Sequence, residues 1–311
     1  MDYELVIVGC GPGGMSAGIY AARLGLKTAI FEAKSPGGTM AIAHLVENYP
    51  GFERISGAEL AEKMLAQTKK SGAEVVMEGV VGIVKGDKTF EVLTEGKNTH
   101  TAKAIILATG GEYKKLGMDG EEKFFGRGVS YCATCDGPLF RGKNVAVIGG
   151  GDTAVKAALY LSDLCKNVYL VHRRDEFRAE SANVEQLKKK KNVQLFLSYI
   201  PQEIRGSDVV ESLRIQALES EGAKELVVDG VFVCVGEVPM TILAKSLGIK
   251  LDEKGQIAVD DDEQTNVKGV WAVGDVTKGP RQIITACGEG TKAAIAAYSF
   301  VRSAKAPALV K

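Results

Sequence analysis

Two cysteines with two residues between them, in Cys132-Ala133-Thr134-Cys135-Asp136, carry the clearest chemistry in the chain. Such a pair can close a small disulfide ring and pass two electrons by thiol–disulfide exchange. Placed at a helix start, the first thiol is exposed and its pKa is lowered. Asp136, directly after the second thiol, adds a candidate proton donor. The competing chemistry is half of a zinc site, which needs a second ligand pair at suitable spacing. Cys10, Cys165, Cys234 and Cys287 are isolated from one another, and His44, His100 and His172 form no closely spaced pair. No metal is expected. The redox reading gains weight from two glycine-rich turns, one on either side of the pair.

Those turns imply the elements that position the cysteines. Residues 4–8 read as a short buried strand, followed by Gly9-Cys10-Gly11-Pro12-Gly13-Gly14 and a helical run from Met15 to Leu24. This G-x-G-x-x-G allows a tight turn and lets a pyrophosphate approach the helix N-terminus. Gly9, Gly11, Pro12 and Gly14 are its candidate contacts. A second strand, Lys27 to Phe31, ends at Glu32, 23 residues after Gly9, where an acid binds ribose hydroxyls. Beyond the cysteines the pattern repeats. Asn144 to Ile148 reads as a strand, then come Gly149-Gly150-Gly151-Asp152-Thr153-Ala154 and a helix through Leu164. Gly149, Gly151, Asp152 and Thr153 are the candidate contacts here. The matching strand end, 23 residues after Gly149, is His172, followed by Arg173 and Arg174, with Arg178 a turn further on. An acid favours a free ribose 2′-hydroxyl, whereas arginines grip a 2′-phosphate bidentately. The first unit is therefore expected to hold FAD and the second NADPH. The competing reading of the arginines is a solvated basic face.

The remaining segments fit around these units. Ser35-Pro36-Gly37-Gly38 and Glu47 to Phe52 are loops rich in turn formers. Gly57 to Ser71 reads as an amphipathic helix with Leu60, Met64 and Leu65 on one side. Val75 to Thr94 alternates as a β-hairpin does. Lys103 to Ala108 reads as a buried strand running into Thr109 and Gly110, which suits a close backbone approach to a cofactor. Glu112 to Gly120 reads as a linker into a second domain and Glu237 to Pro239 as the linker back. Gln256 to Val259 and Gly269 to Val273 read as strands. The latter runs into Gly274-Asp275, an acid suited to the ribityl hydroxyls of a flavin. Arg281, Gln282 and Ile283 open a last helix, about 283–301, whose N-terminal dipole suits an anionic reduced flavin. His44, Cys10, Cys234 and Cys287 read as structural. The expected fold is α/β, with two Rossmann-like dinucleotide-binding domains of the three-layer ββα type. The NADPH domain, 113–240, is inserted in the FAD domain, 1–112 and 241–311.

Composition bounds the rest. The 311 residues carry 39 basic and 39 acidic side chains, which gives no support for nucleic-acid or membrane binding. Six cysteines in this length are too sparse for a secreted disulfide framework. No apolar run approaches a membrane span. The first strand starts within a few residues of Met1 and leaves no room for a signal peptide. The expected home is the cytoplasm.

Taken together and in order, these stretches closely resemble the low-molecular-weight thioredoxin reductases, over nearly the whole chain. The matching stretches are the first glycine turn, Glu47 to Phe52, Ala108-Thr109-Gly110, Cys132 to Asp136, Gly149 to Ala154, His172 to Arg178, Gly274-Asp275 and Arg281-Gln282. The larger glutathione-reductase-like enzymes instead carry their cysteines near the N-terminus. The resemblance implies that NADPH reduces FAD by hydride transfer and that the flavin reduces a Cys132–Cys135 disulfide. Cys135 would face the flavin and form its charge-transfer complex, Cys132 would attack the disulfide of the protein substrate, and Asp136 would protonate a thiolate. FAD contacts would include Gly37, Gly38, Thr39, Asn48, Thr109, Gly110, Gly274, Asp275, Arg281, Gln282 and Ile283. Thr39 stands where many relatives have Gln, which bears on one amide contact to the flavin and not on FAD binding itself. The resemblance also implies a homodimer joined through the flavin domains, a thioredoxin or glutaredoxin-like partner, and hinges near 111–117 and 236–241. Competing readings are a dithiol oxidase, a reductase fed by ferredoxin or a deazaflavin, and a non-catalytic redox sensor. The arginines at 173, 174 and 178 count against the oxidase and the other donors.

Overall fold

The structure is a computed structural model that describes residues 2–43, 45–218 and 222–303. His44 lies outside the described residues. The chain divides into two units, residues 1–112 with 238–311, and residues 113–237.

The first unit is built on five parallel strands in the order β18 (Val270–Ala272), β7 (Ala104–Leu107), β1 (Leu5–Val8), β2 (Thr28–Phe31) and β3 (Glu74–Val76). β1, β2 and β7 are buried at every position, as strands covered on both faces must be. Side chains alternate between the faces. Leu5, Ile7, Ile30 and Ile106 pack with apolar residues of α1 (Pro12–Arg23), α2 (Gly57–Lys70) and α7 (Ile283–Ser303). Val6, Val8, Phe31 and Leu107 pack instead with Ile83, Phe90 and Val92 of an antiparallel sheet formed by β4 (Val80–Lys85), β5 (Phe90–Thr94) and β6 (Thr99–Ala102), and with Leu243 and Ala244 of the short α6 (Ile242–Ser246). The result is three layers: helices, parallel sheet, antiparallel sheet.

The second unit repeats this plan. Its parallel sheet runs β12 (Val193–Leu197), β11 (Asn167–His172), β10 (Asn144–Ile148), β16 (Gly230–Val233) and β9 (Val129–Ser130). Val145 and Val147 face α4 (Asp152–Ser162) and α5 (Ser181–Lys188). Ala146 and Ile148 face the antiparallel sheet of β13 (Tyr199–Arg205), β14 (Ser212–Ala217) and β15 (Ala223–Val227).

Three segments differ from the sequence reading. Val75 and Val76 belong to β3 of the parallel sheet, paired with Ile30 and Phe31, so the hairpin begins only at Val80. Gln256 to Val259 forms no strand: Ile257 makes single bridges to Leu251 and Thr277. The chain re-enters the first unit at 237/238, because Met240 donates its N–H to the Gly110 carbonyl at 3.0 Å and Thr109 Oγ1 donates to the Met240 carbonyl at 2.7 Å. The two crossings are not plain linkers: β8 (Gly111–Tyr113) and β17 (Glu237–Pro239) pair there as a two-stranded ladder.

One helix contact positions a site directly. α1 and α7 touch backbone to backbone, since a Cβ on Gly290 would lie 2.2 Å from the Gly13 carbonyl oxygen. Ser16 Oγ, donating to the Cys287 carbonyl at 2.8 Å, ties the same faces. The start of the long α7 is thereby held beside the first glycine turn.

Candidate active site

Cys132 and Cys135 are joined as a disulfide, with their Cα atoms 5.3 Å apart. β9 delivers the chain to this point and α3 (Ala133–Asp136) leaves from it. Cys132 is the N-cap of α3, with extended backbone, and its Sγ accepts the Cys135 N–H at 3.2 Å. Helix-start N–H groups and the helix dipole favour negative charge, so the site is built to stabilise a thiolate at Cys132 once the pair is reduced. Asp136 ends that same turn, and its Oδ2 accepts from Ser130 Oγ at 2.6 Å. Ser130 Oγ also accepts the Cys132 N–H at 3.0 Å, so one buried hydroxyl links the acid to the cysteine backbone.

The other cysteines are poor nucleophiles. Burial pushes the thiols of Cys10 and Cys234 up to about 12 and that of Cys165 up to about 11, and it raises Cys287 as well. Among the described residues, no cluster of three His, Cys, Asp or Glu side chains has the arrangement of a metal site. No helix among them is long and apolar enough to cross a membrane.

In the first unit the glycines of the turn have separate physical reasons. Gly9 has φ +105°, and a Cβ there would lie 2.2 Å from the Ala108 carbonyl oxygen; one on Gly14 would lie 1.9 Å from the Gly9 carbonyl oxygen. Both are fixed by packing. Gly11 has nothing within 4 Å of where its Cβ would stand. The space over Gly11, beside the N-terminus of α1, is thus a cradle that a side chain would fill, and it fits a pyrophosphate. Glu32 lies at the end of β2, where its carboxylate accepts the N–H groups of Cys10 at 2.8 Å and Lys34 at 2.9 Å. A carboxylate has about four acceptor positions, so capacity remains for ribose hydroxyls. Gly37 is bonded to the same turn through its N–H to the Cys10 carbonyl at 2.8 Å, and an added Cβ on Gly38 would meet the Gly11 Cα at 3.6 Å. Thr39 is exposed in a short 3-10 turn. Asn48 and Gln282, far apart in sequence, meet through Asn48 Nδ2 donating to Gln282 Oε1 at 3.1 Å. Arg281 and Gln282 lead into α7 at Ile283, and α7 meets the turn after β18 through Ala286, whose Cβ lies 3.6 Å from where a Cβ on Gly274 would stand.

Glu289, which sequence reasoning missed, sits behind that loop. Its Oε2 accepts the Gly274 N–H at 2.6 Å. Burial pushes its carboxyl up to about 7, and burial raises Asp275 too. The folded chain holds this proton more tightly than the unfolded chain does. The stability Glu289 contributes is therefore full below its ordinary value of 4.5 and is lost as pH rises through about 7. Glu289→Gln is expected to flatten the fall in melting temperature across that window; parallel curves for parent and variant would contradict this.

The second unit shows the same division of glycines. Gly149, at φ +143°, has no room for a Cβ, which would lie 2.3 Å from the Cys234 carbonyl oxygen, and Ala154 packs beneath it. Gly151, before the N-terminus of α4, is open on all sides within 4 Å. Asp152 Oδ1 accepts the Glu180 N–H at 2.9 Å, and Thr153 is exposed in the first turn. An open cleft of about 600 Å³ lies here, lined by Asp152, Lys156, Arg178, Ala179, Glu180 and Ser181. Arg173, Arg174, Arg178 and Lys156 are all exposed, and none makes an ion pair among the described residues. His172 is placed differently from the arginines. It is 5% exposed, its ring stacks on Phe177, and a Cβ on Gly150 would collide with it at 2.2 Å. Burial lowers its pKa, which keeps it neutral.

Comparison with known proteins decides the family. Residues 3–290 match the pyridine nucleotide-disulphide oxidoreductases. The chain is 43% identical to the thioredoxin reductase of Treponema pallidum (strain Nichols), covering 96% of this chain and 97% of that protein. It belongs to this family. The thioredoxin reductase of Listeria innocua serovar 6a is 42% identical, covering 97% of this chain and 95% of that protein. The solved thioredoxin reductase of Streptococcus pyogenes MGAS5005 superposes with a TM-score of 0.93 at 40% identity, covering 97% of this chain and 98% of that one. As a pyridine nucleotide-disulphide oxidoreductase of the thioredoxin reductase type, the chain is a disulfide reductase that works with a flavin and a pyridine nucleotide. The two open glycine turns and the Cys132–Cys135 disulfide are the parts that such an enzyme requires.

Proposed function

We propose that this chain is an NADPH-dependent reductase of thioredoxin, or of a glutaredoxin-like protein, that holds FAD in its first unit and works as a cytoplasmic homodimer. The observation that carries the choice of NADPH is the group of exposed cations, Arg173, Arg174, Arg178 and Lys156, that no acid neutralises among the described residues, beside the open Gly151 turn. Unpaired guanidinium groups suit a 2′-phosphate, which offers them charge and bidentate geometry.

FAD, when bound, supplies a two-electron relay between nicotinamide and disulfide. The chain's residues do the rest. Gly9, Gly11, Pro12 and Gly14 admit the pyrophosphate, and Glu32 takes ribose hydroxyls. Gly37, Gly38, Thr39, Asn48, Thr109, Gly110, Gly274, Asp275, Arg281, Gln282 and Ile283 would hold the remainder of the flavin. Gly149, Gly151, Asp152 and Thr153 take the pyrophosphate of NADPH, and Arg173, Arg174 and Arg178 take its 2′-phosphate. His172 serves through packing: it fixes Gly150 and so the shape of the turn. Cys135 would receive the flavin's electrons, Cys132 would attack the partner's disulfide from the helix start once the pair is reduced, and Asp136 would supply the proton that the released thiolate takes up. The ladder at 111–113 and 237–239 gives the inserted unit its hinge.

The test is turnover of a thioredoxin disulfide, read as thiols released per NADPH consumed. One dithiol per NADPH is expected, with NADH far slower. NADPH consumed without thiols, with oxygen taken up instead, would replace this reading with an oxidase.

A further inference from the structure

Glu121 is a buried charge that no step above uses. It is 1% exposed and makes no ion pair among the described residues. A carboxylate is costly to remove from water unless donors replace its hydration. Here three donors do. Oε2 accepts the N–H of Gly117 at 2.7 Å and of Leu116 at 3.0 Å, and Oε1 accepts the Tyr131 phenol at 2.9 Å. Burial and the neighbouring Glu121 push the phenol's pKa upward, so Tyr131 stays a donor.

These contacts join two stretches that matter. Leu116 and Gly117 belong to the chain's entry into its unit, and Gly117 is held at φ +70°. Tyr131 directly precedes Cys132, and its ring stacks on Tyr113 with centroids 5.2 Å apart. From Tyr131 the contacts continue without a gap. The next residue's N–H goes to Ser130 Oγ at 3.0 Å, that hydroxyl reaches Asp136 at 2.6 Å, and Cys132 Sγ caps α3 through the Cys135 N–H at 3.2 Å.

We infer that Glu121 is a positioning residue for the redox pair: through the Tyr131 phenol its buried carboxylate holds Cys132 at the N-cap of α3, and so stabilises the reduced form. Freeing Tyr131 loosens the donor geometry around the Cys132 thiolate. The dithiol then loses stabilisation relative to the disulfide, and the potential of the pair falls.

This rests on the reading that Cys132 and Cys135 are the couple that turns over, and the test needs neither NADPH nor a partner protein. The flavin-loaded enzyme is equilibrated in dithiothreitol redox buffers, and the reduced fraction of the pair is read by alkylation and mass spectrometry. Tyr131→Phe is expected to shift the equilibrium about fivefold toward the disulfide, a fall of about 20 mV. Glu121→Gln is expected to shift it at least as far, and the double variant no further than Glu121→Gln. A purely structural role would lower the melting temperature and leave the potential in place. Tyr131→Phe keeps both backbone bonds to Glu121, so it carries the test if Glu121→Gln fails to fold. An equilibrium for Tyr131→Phe within twofold of the parent's, or additive shifts in the double variant, would overturn the positioning role. A pair in the parent that never exchanges with the buffer would overturn the redox reading and this inference together.

Discussion

Replacing either cysteine of the pair by serine is expected to cut disulfide turnover roughly 10³-fold or more. The reason is stoichiometric. The reaction hands on two electrons through a bond between Cys132 and Cys135, and one sulfur cannot store them. The other thiols are poor replacements, because burial holds Cys10 and Cys234 up at about 12 and Cys165 at about 11 and raises Cys287 as well. The two variants are expected to differ in colour. On the proposed roles, Cys132→Ser should show a long-wavelength charge-transfer band, which Cys135→Ser should lack. A band in Cys135→Ser and not in Cys132→Ser would reverse the assignment of the two sulfurs. Undiminished turnover in either variant would remove the pair from the reaction.

The second large effect falls on the donor. If the proposed donor is right, Arg173→Ala with Arg174→Ala should raise KM for NADPH by at least about 100-fold, since each guanidinium would contribute a charge-assisted bond to the 2′-phosphate. KM for NADH should change little, because it has no phosphate there. Both side chains are exposed and neither makes an ion pair among the described residues, so the variant should keep the parent's stability. Steady-state kinetics with both nucleotides decide the matter, and equal losses would show that these arginines do not read the phosphate.

Much of this was legible in the sequence because it is local. A glycine turn announces itself by spacing between a strand and a helix, and Gly9, Gly14 and Gly149 meet the steric reasons that such spacing implies. The apolar runs at 4–8 and 103–108 likewise read as buried strands, and β1 and β7 are buried at every position. What depends on a distant neighbour was not legible. Gln256 to Val259 carries the β-branched Ile257 and Val259, yet among the described residues only single bridges form there, from Ile257 to Leu251 and Thr277. His172 shares the register of the arginines, but periodicity does not reveal that Gly150 and Phe177 enclose it. Lys156 joins the cleft at the second glycine turn only because α4 runs beside residues 178–181. Glu121, Ser130 and Glu289 carry ordinary surface residue types, and their burial and hydrogen bonds come from the fold.

On the proposed function, electrons pass from NADPH through a bound flavin to Cys132–Cys135. Anaerobic mixing of the purified yellow enzyme with NADPH, and separately with NADH, tests it most directly through flavin absorbance. Rapid bleaching by NADPH, with NADH much slower, is the expected result. Bleaching by neither nucleotide would contradict the account, and would assign the exposed arginines at 173, 174 and 178 to the solvated basic face that they first resembled.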